Sequence, residues 1–558
     1  MSRPLVVIAL ATLFSGCGAS KGAPLTTAPA PVQSAPAAAP APTPAAAPPN
    51  VEAPPAEAPP NWQLLDAEGD RVIGTGVLRA KRELLAGRSP GRTVLVAVID
   101  GGVDTSHAAL RDMLWRNPKE VAGNGKDDDG NGYTDDVYGW NFIGGKDGRD
   151  VNWDTIELTR VYAACTATPS AMPADTSIHC ADIKTKFEEK QKEAQQQLTQ
   201  VTMVEGMLGR TRRILALALG GDTGVTVKRV QALPQTTDST GAARQMFLRL
   251  AGSGITQQAI DEAKVDVGGT LKYGLNPAFN PREVVGDNPA NPNERNYGNR
   301  DVMGPDAKHG THVSGIIGAV RGSNSVEGVA SSVRIMMVRT VPNGDERDKD
   351  VANAIRYAVD NGAQVINMSF GKGFSPNKDL VDAAVKYADS KGVLMVHSAG
   401  NDGEDLSQSP SFPTPRYRGG GKALNWIEVG ASSWQGQEKL AATFSNYGEK
   451  EVDLFAPGVD ILSTIPGGGF ERESGTSMAA PVVTGVAALL MSYFPKLTAA
   501  DIKKLILDSA TRYSDVMVAR PGSPDGEKVR FGALSSTGGV VNAYAAVKAA
   551  LASSGAVQ

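Results

Sequence analysis

The 558-residue sequence has little cysteine (3), little histidine (5) and almost no surplus of charge, with 56 basic against 60 acidic residues. A near balance of sign excludes nucleic acid as a partner held by bulk charge. No long hydrophobic run is present near the start: Leu5 to Phe14 is too short to cross a bilayer as a mature anchor. With Cys17 set aside, only Cys165 and Cys180 remain to form a bridge. It would close a loop of about 15 residues, for which chain entropy gives roughly 3 kcal/mol. The length itself exceeds one ordinary domain.

What is present begins with Met1-Ser2-Arg3, the apolar run, and Leu13-Phe14-Ser15-Gly16-Cys17. That order fits an export signal over residues 1–17. The small residues before Cys17 resemble a bacterial lipoprotein signal, which implies a lipid anchor on Cys17 and a place in the cell envelope, outer membrane or surface; a plain secretory signal is the alternative. Residues 18–60 are mostly Ala and Pro and read as an extended tether. About thirty residues separate that tether from Thr93, with no obvious folding propeptide among them.

Val94 to Ile99 is a continuous apolar run, the pattern of a parallel strand buried on both faces. It ends at Asp100-Gly101-Gly102, the edge where open α/β sheets place ligands. Helices are expected near Gly76–Leu85, His309–Val320, Asp348–Asn361, Asn377–Lys391 and Ser477–Phe494. Strands are expected over Ser332–Val338, Ala363–Ser369, Val393–Ser398, Trp426–Gly430 and Val452–Phe455. The alternation predicts an α/β fold with a mostly parallel sheet flanked by helices. Residues 151–300 break the rhythm with a long amphipathic helix over Ala181–Leu219 and a second helix starting near Thr256. They read as a largely helical inserted subdomain between a first part, 61–150, and a second part, 301–550.

Three residues offer the parts of an acyl-transfer site: a nucleophile, a base and a carboxylate to orient the base. Ser477 stands between Gly475-Thr476 and an apolar helix, where free N–H groups favour negative charge; a plain N-cap serine is the alternative. His309 opens a small-residue helix, and its spacing of three to His312 differs from a helical zinc pair. The remaining histidines are His107, His179 and His397. Asp100 closes the buried strand, where a lone charge needs a partner.

The segments Val98-Ile99-Asp100-Gly101-Gly102-Val103-Asp104, His309-Gly310-Thr311-His312-Val313-Ser314-Gly315 and Ser474-Gly475-Thr476-Ser477-Met478-Ala479-Ala480-Pro481 resemble the three signature motifs of the subtilisin-like serine protease (subtilase) family. Val452 to Gly458 and Gly539 to Asn542 are similar to later landmarks of that family. The resemblance covers roughly Thr93–Gly145 and Asp301–Ala549. It implies a subtilisin-like three-layer fold and a serine endopeptidase acting on proteins or peptides, with no organic cofactor. It carries the catalytic roles to Asp100, His309 and Ser477. Val396 to Gly403 is similar to the family's oxyanion segment, which carries that role to Asn401 and places Ser398, Ala399 and Gly400 at the substrate. Asn367 to Gly371 resembles the strand that pairs with the substrate backbone, through Ser369, Phe370 and Gly371. The sequence departs from the family at Gly101, where Ser or Thr is usual, and in the long insertion before His309.

Asp127, Asp129, Asn131 and Asp135 alternate with glycines as in a calcium loop, although Tyr138 stands where an EF-hand would have its closing glutamate. A structural calcium ion is the reading adopted, with a solvated acidic turn as the alternative. A function from a different class is a surface-tethered binding or assembly protein that keeps an inactive protease scaffold.

Overall fold

The computed structural model describes residues 57–167, 179–221, 224–320, 326–553 and 555. The expected signal, Cys17 and the tether up to residue 56 lie outside the described residues. The helices are α1 Val77–Glu83, α2 Glu157–Thr166, α3 Cys180–Ala218, α4 Val227–Gln231, α5 Ser239–Gly252, α6 Gln257–Gly269, α7 Arg282–Val285, α8 Lys308–Gly318, α9 Asp348–Asp360, α10 Lys378–Ser390, α11 Thr476–Tyr493, α12 Ala499–Asp508 and α13 Ala543–Ser553. The strands are β1 Val94–Asp100, β2 Gly139–Asn141, β3 Val333–Arg339, β4 Val365–Met368, β5 Leu394–Ser398, β6 Trp426–Ser432, β7 Leu454–Pro457, β8 Ile461–Ile465, β9 Gly469–Glu473, β10 Thr511–Arg512, β11 Met517–Ala519, β12 Lys528–Arg530 and β13 Gly539–Val540.

Nine strands form one sheet in the order β10-β13-β7-β6-β5-β4-β1-β3-β2. All neighbours in it are parallel except β10 and β13. The expected α/β architecture is therefore present. The apolar run of β1 explains why. Val94, Val96 and Val98 enter the core on one face with α8 and α11, while Ala97 and Ile99 enter the core on the other with α9 and α10. A strand with period-two alternation and both faces apolar has to lie between two helix layers.

Register sets the functional edge. Asp100 on β1 lies level with Arg339 on β3, Met368 on β4 with His397 on β5, and Ser398 on β5 with Val429 on β6. Asp100, the segment after Met368 and the segment after Ser398 thus leave the sheet side by side at its carboxyl edge. Among the described helices only α11 is long and apolar enough to cross a membrane, and it is 94% buried. It is the core helix of the protein.

The chain divides into two compact units. Residues 200–263 form one, with a core of Val201, Val204, Leu208, Leu215, Phe247, Leu250 and Ile260. Asp238 starts α5 there by accepting from the N–H groups of Thr240 and Gly241. The remaining described residues belong to the sheet unit, including 57–199 and 264–300. The expected bridge is present: Cys165 at the end of α2 is bonded to Cys180 at the start of α3.

Candidate active site

β1 delivers Asp100, which is fully buried. Its Oδ1 and Oδ2 lie 2.8 and 3.0 Å from His309 Nδ1. The N–H of Gly101 donates to Asp100 Oδ1 at 2.7 Å. The backbone amide of Gly101 thus helps to orient the carboxylate with no side-chain hydroxyl at this position. A Cβ at 101 would already stand 3.2 Å from Val341 O, so a larger residue would be tight.

His309 lies in the first turn of α8, and its side chain is 25% exposed. The helix can lie against the end of β1 because residue 310 is glycine: a Cβ there would come within 2.2 Å of Gly102 O. Burial alone would lower the imidazole pKa, but the Asp100 carboxylate outweighs it and the net shift is upward. Glu473 pushes the same way. Among the described residues nothing hydrogen-bonds His309 Nε2.

Ser477 is the second residue of α11, and the reason for its setting lies four residues on. Pro481 has no N–H, so the Ser477 carbonyl loses its intrahelical partner. Ser369 Oγ fills that place, donating to Ser477 O at 2.9 Å. In return Ser477 Oγ donates to Ser369 O at 3.2 Å. The serine hydroxyl is thus held against the segment after β4 rather than on the His309 ring, a looseness common before substrate binds. The Ser477 N–H meets no acceptor among the described residues, as expected for the first turn of a helix.

Asn401 sits in the segment after β5. Its Oδ1 accepts from Thr476 N at 2.8 Å and from Thr476 Oγ1 at 2.9 Å. With the oxygen committed, Nδ2 is the free end, and among the described residues it has no acceptor. It faces Gly475, where a Cβ would lie 3.5 Å from Nδ2. Thr476 has no signal of its own in the sequence beyond standing before the serine.

Of the expected substrate contacts, Gly371 is exposed and Gly400 half-buried, while Ser369, Phe370, Ser398 and Ala399 are buried. Gly400 has φ 106, and a Cβ would meet Asn446 Nδ2 at 2.4 Å. Only glycine suits that position.

Of the four expected calcium ligands, the Asp127 and Asp129 carboxylates converge, and Glu120 joins them, all three within 4.8 Å of one another. Asp135 faces elsewhere, accepting from the N–H groups of Gly123, Asn124 and Gly125 and pairing with Arg300 at 2.5 Å. Asn131 Oδ1 accepts from Tyr133 N at 2.8 Å. Glu120 had no signal in the sequence, lying outside the alternating run.

The Subtilase family model matches residues 91–533. This fold and this edge of the sheet define the class, and the chain belongs to the subtilase family. It is 44% identical over 186 residues to a thermophilic serine proteinase of Bacillus sp. (strain AK1), covering 33% of this chain and 42% of that protein. It is 38% identical to subtilisin NAT of Bacillus subtilis subsp. natto, covering 37% and 51%, and to the subtilisin of Bacillus pumilus, covering 37% and 70%. The match spans about half the length of the first curated relatives. A crystal structure of a cold adapted subtilisin-like serine proteinase is 31% identical, with 42% of this chain and 76% of that chain covered, at a TM-score of 0.33. That overlap is too small to bear on the fold, which rests on the sheet described above.

Proposed function

We propose that the chain is a serine endopeptidase of broad specificity acting on proteins or peptides. Ser477 Oγ attacks the scissile carbonyl, and His309 Nε2 takes its proton and returns it to the leaving amine. Asp100 holds the imidazole with Nδ1–H toward itself and stabilises the imidazolium. Asn401 Nδ2 and the Ser477 N–H stabilise the oxyanion. One observation carries this reading: the buried Asp100 carboxylate grips His309 Nδ1 at 2.8 Å while Nε2 is left free. A fluorophosphonate serine reagent should add to Ser477, located by mass spectrometry of the labelled peptide. A folded protein that never labels would favour the scaffold reading.

The His309 shift sets the pH dependence. The base works only when neutral, so activity is lost as pH falls through its pKa. Because Asp100 raises that pKa, the acid limb of kcat/KM should lie above the ordinary histidine value of about 6.5. Asp100→Asn should move the limb to lower pH and lower the plateau. An acid limb in the wild type below that value would contradict the pairing.

Calcium, in this reading, is held by Glu120, Asp127 and Asp129, whose hard oxygens suit it. A chelator should then lower Tm, since an ion bound only by the folded state stabilises it by about 2.7 kcal/mol at a hundredfold excess over Kd. Identical melting curves in calcium and in chelator would remove the ion. Cys17 serves as a lipid anchor that holds the protein at the cell envelope, with secretion as the alternative. Cys17→Ser should shift the protein from the membrane to the soluble fraction; wild-type protein found wholly soluble would decide for secretion.

A further inference from the structure

Lys372 directly follows the segment Ser369–Gly371, and its surroundings are unusual for a residue beside a cleft. Its side chain is 2% exposed, with Nζ 2.7 Å from Glu157 Oε2 and 2.8 Å from Asp348 Oδ1. Nζ also donates to Glu346 O at 2.8 Å. Its backbone is committed too: Lys372 N donates to Phe412 O, and Phe412 N donates to Lys372 O. No backbone group of Lys372 is left for an added strand.

Glu157 opens α2, the first helix of the insertion. Its N–H donates to Asp345 Oδ2 at 2.8 Å. One turn later, Arg160 pairs with Glu157 at 2.7 Å and donates to the carbonyls of Asp345 and Glu346. Two residues after Lys372, Phe374 packs against the small core made by α2 and the start of α3: Leu158, Val161, Ile183 and Phe187. Lys186 of α3 lies 5.6 Å from the Phe374 ring centroid. The Cys165–Cys180 bond ties the two helices together.

We infer that α2 and the start of α3 cap the acyl-side end of the substrate cleft at Lys372, so that only about three residues before the cut can be bound in extended form. The inference rests on the protease reading above. Ser369 meets Ser477, and an extended chain advances about 3.3 Å per residue. A substrate strand laid along 369–371 therefore reaches the Lys372–Glu157 pair after about three residues. Opening that pair would leave a buried lysine and a buried glutamate each one ionic partner short, held by Asp348 and Arg160, which the low-dielectric interior disfavours. A longer peptide has to turn away there. The favoured substrates are chain termini and tight turns rather than long extended segments.

The test is a series of acyl-peptide nitroanilides with two to six residues before the cut and the same residue at the cut. Expected is a rise in kcat/KM up to about three residues, then a six-residue to three-residue ratio of threefold or less. A ratio above threefold overturns the cap. In Cys165→Ser/Cys180→Ser, which removes the covalent tie between the two helices and leaves only their packing, that ratio should rise at least threefold. An unchanged ratio in this variant removes the role given to the clamped helices. Absence of Ser477-dependent cleavage of even the three-residue peptide would refute the active-site reading itself, a result distinct from a wrong ratio.

Discussion

Ser477→Ala should lower kcat for peptide hydrolysis by roughly six orders of magnitude, the size typical for loss of a serine nucleophile. The fold should survive the change. Ser477 Oγ makes one hydrogen bond, to Ser369 O, and losing a single bond of this kind costs about 1 kcal/mol. The more important link, from Ser369 Oγ to the Ser477 carbonyl, involves the backbone and is untouched. Tm should fall by less than about 3 °C. The check is turnover of a three-residue nitroanilide beside a melting curve. Undiminished turnover sinks the mechanism, and loss of activity with loss of fold would show that Ser477 is structural.

Asn401→Ala should lower kcat by about 10²–10³ with little change in KM, a range set by measurements on oxyanion-hole asparagines of the same family. Alanine removes two things at once, however. The Asn401 oxygen holds Thr476 N and Oγ1, so part of the loss could come from a displaced Thr476 and Ser477. Asn401→Asp separates them. It keeps the oxygen that Thr476 needs and replaces the donor with a second oxygen, where the developing negative charge meets another. It should lose at least as much kcat as alanine while retaining the melting temperature of the wild type. If Asn401→Asp keeps most of its activity, the side chain acts by holding Thr476 and the oxyanion role fails.

The sheet and the central residues were legible in the sequence for one reason. Each signal is contiguous: an apolar run from Val94 to Ile99, then short motifs at the places where chain leaves a strand or opens a helix. Boundaries matched closely, as at Asp348–Asp360 and Thr476–Tyr493. Features built from distant residues were not legible. Glu157 and Lys372 meet across 215 positions, and nothing in either neighbourhood marks the other. Glu120 joins Asp127 and Asp129 through a turn that falls outside the alternating run. The hairpin β8–β9 was missed because Gly469–Glu473 is polar and only half-buried, without the alternation that marks a strand. Helix α5 has no separate signal in the largely helical insertion between Leu219 and Thr256, although Asp238-Ser239-Thr240 carries an N-cap pattern.

The segment before β1 bears on any attempt to shorten the chain to the part shared with its family. Trp62, Leu64, Val77 and Ala80 are all fully buried and lie in the same core as α11 and α13. The Trp62 indole donates to Val459 O at 3.0 Å, and Ala543 N at the start of α13 donates to Thr75 O at 2.7 Å. A chain begun at residue 91 would lose those four side chains and uncover the apolar faces of α13 and of the β7–β8 connection. Exposed apolar patches of that kind drive aggregation. The two flanks of the sheet unit therefore fold as one piece, and a truncated core should precipitate where the longer chain stays in solution.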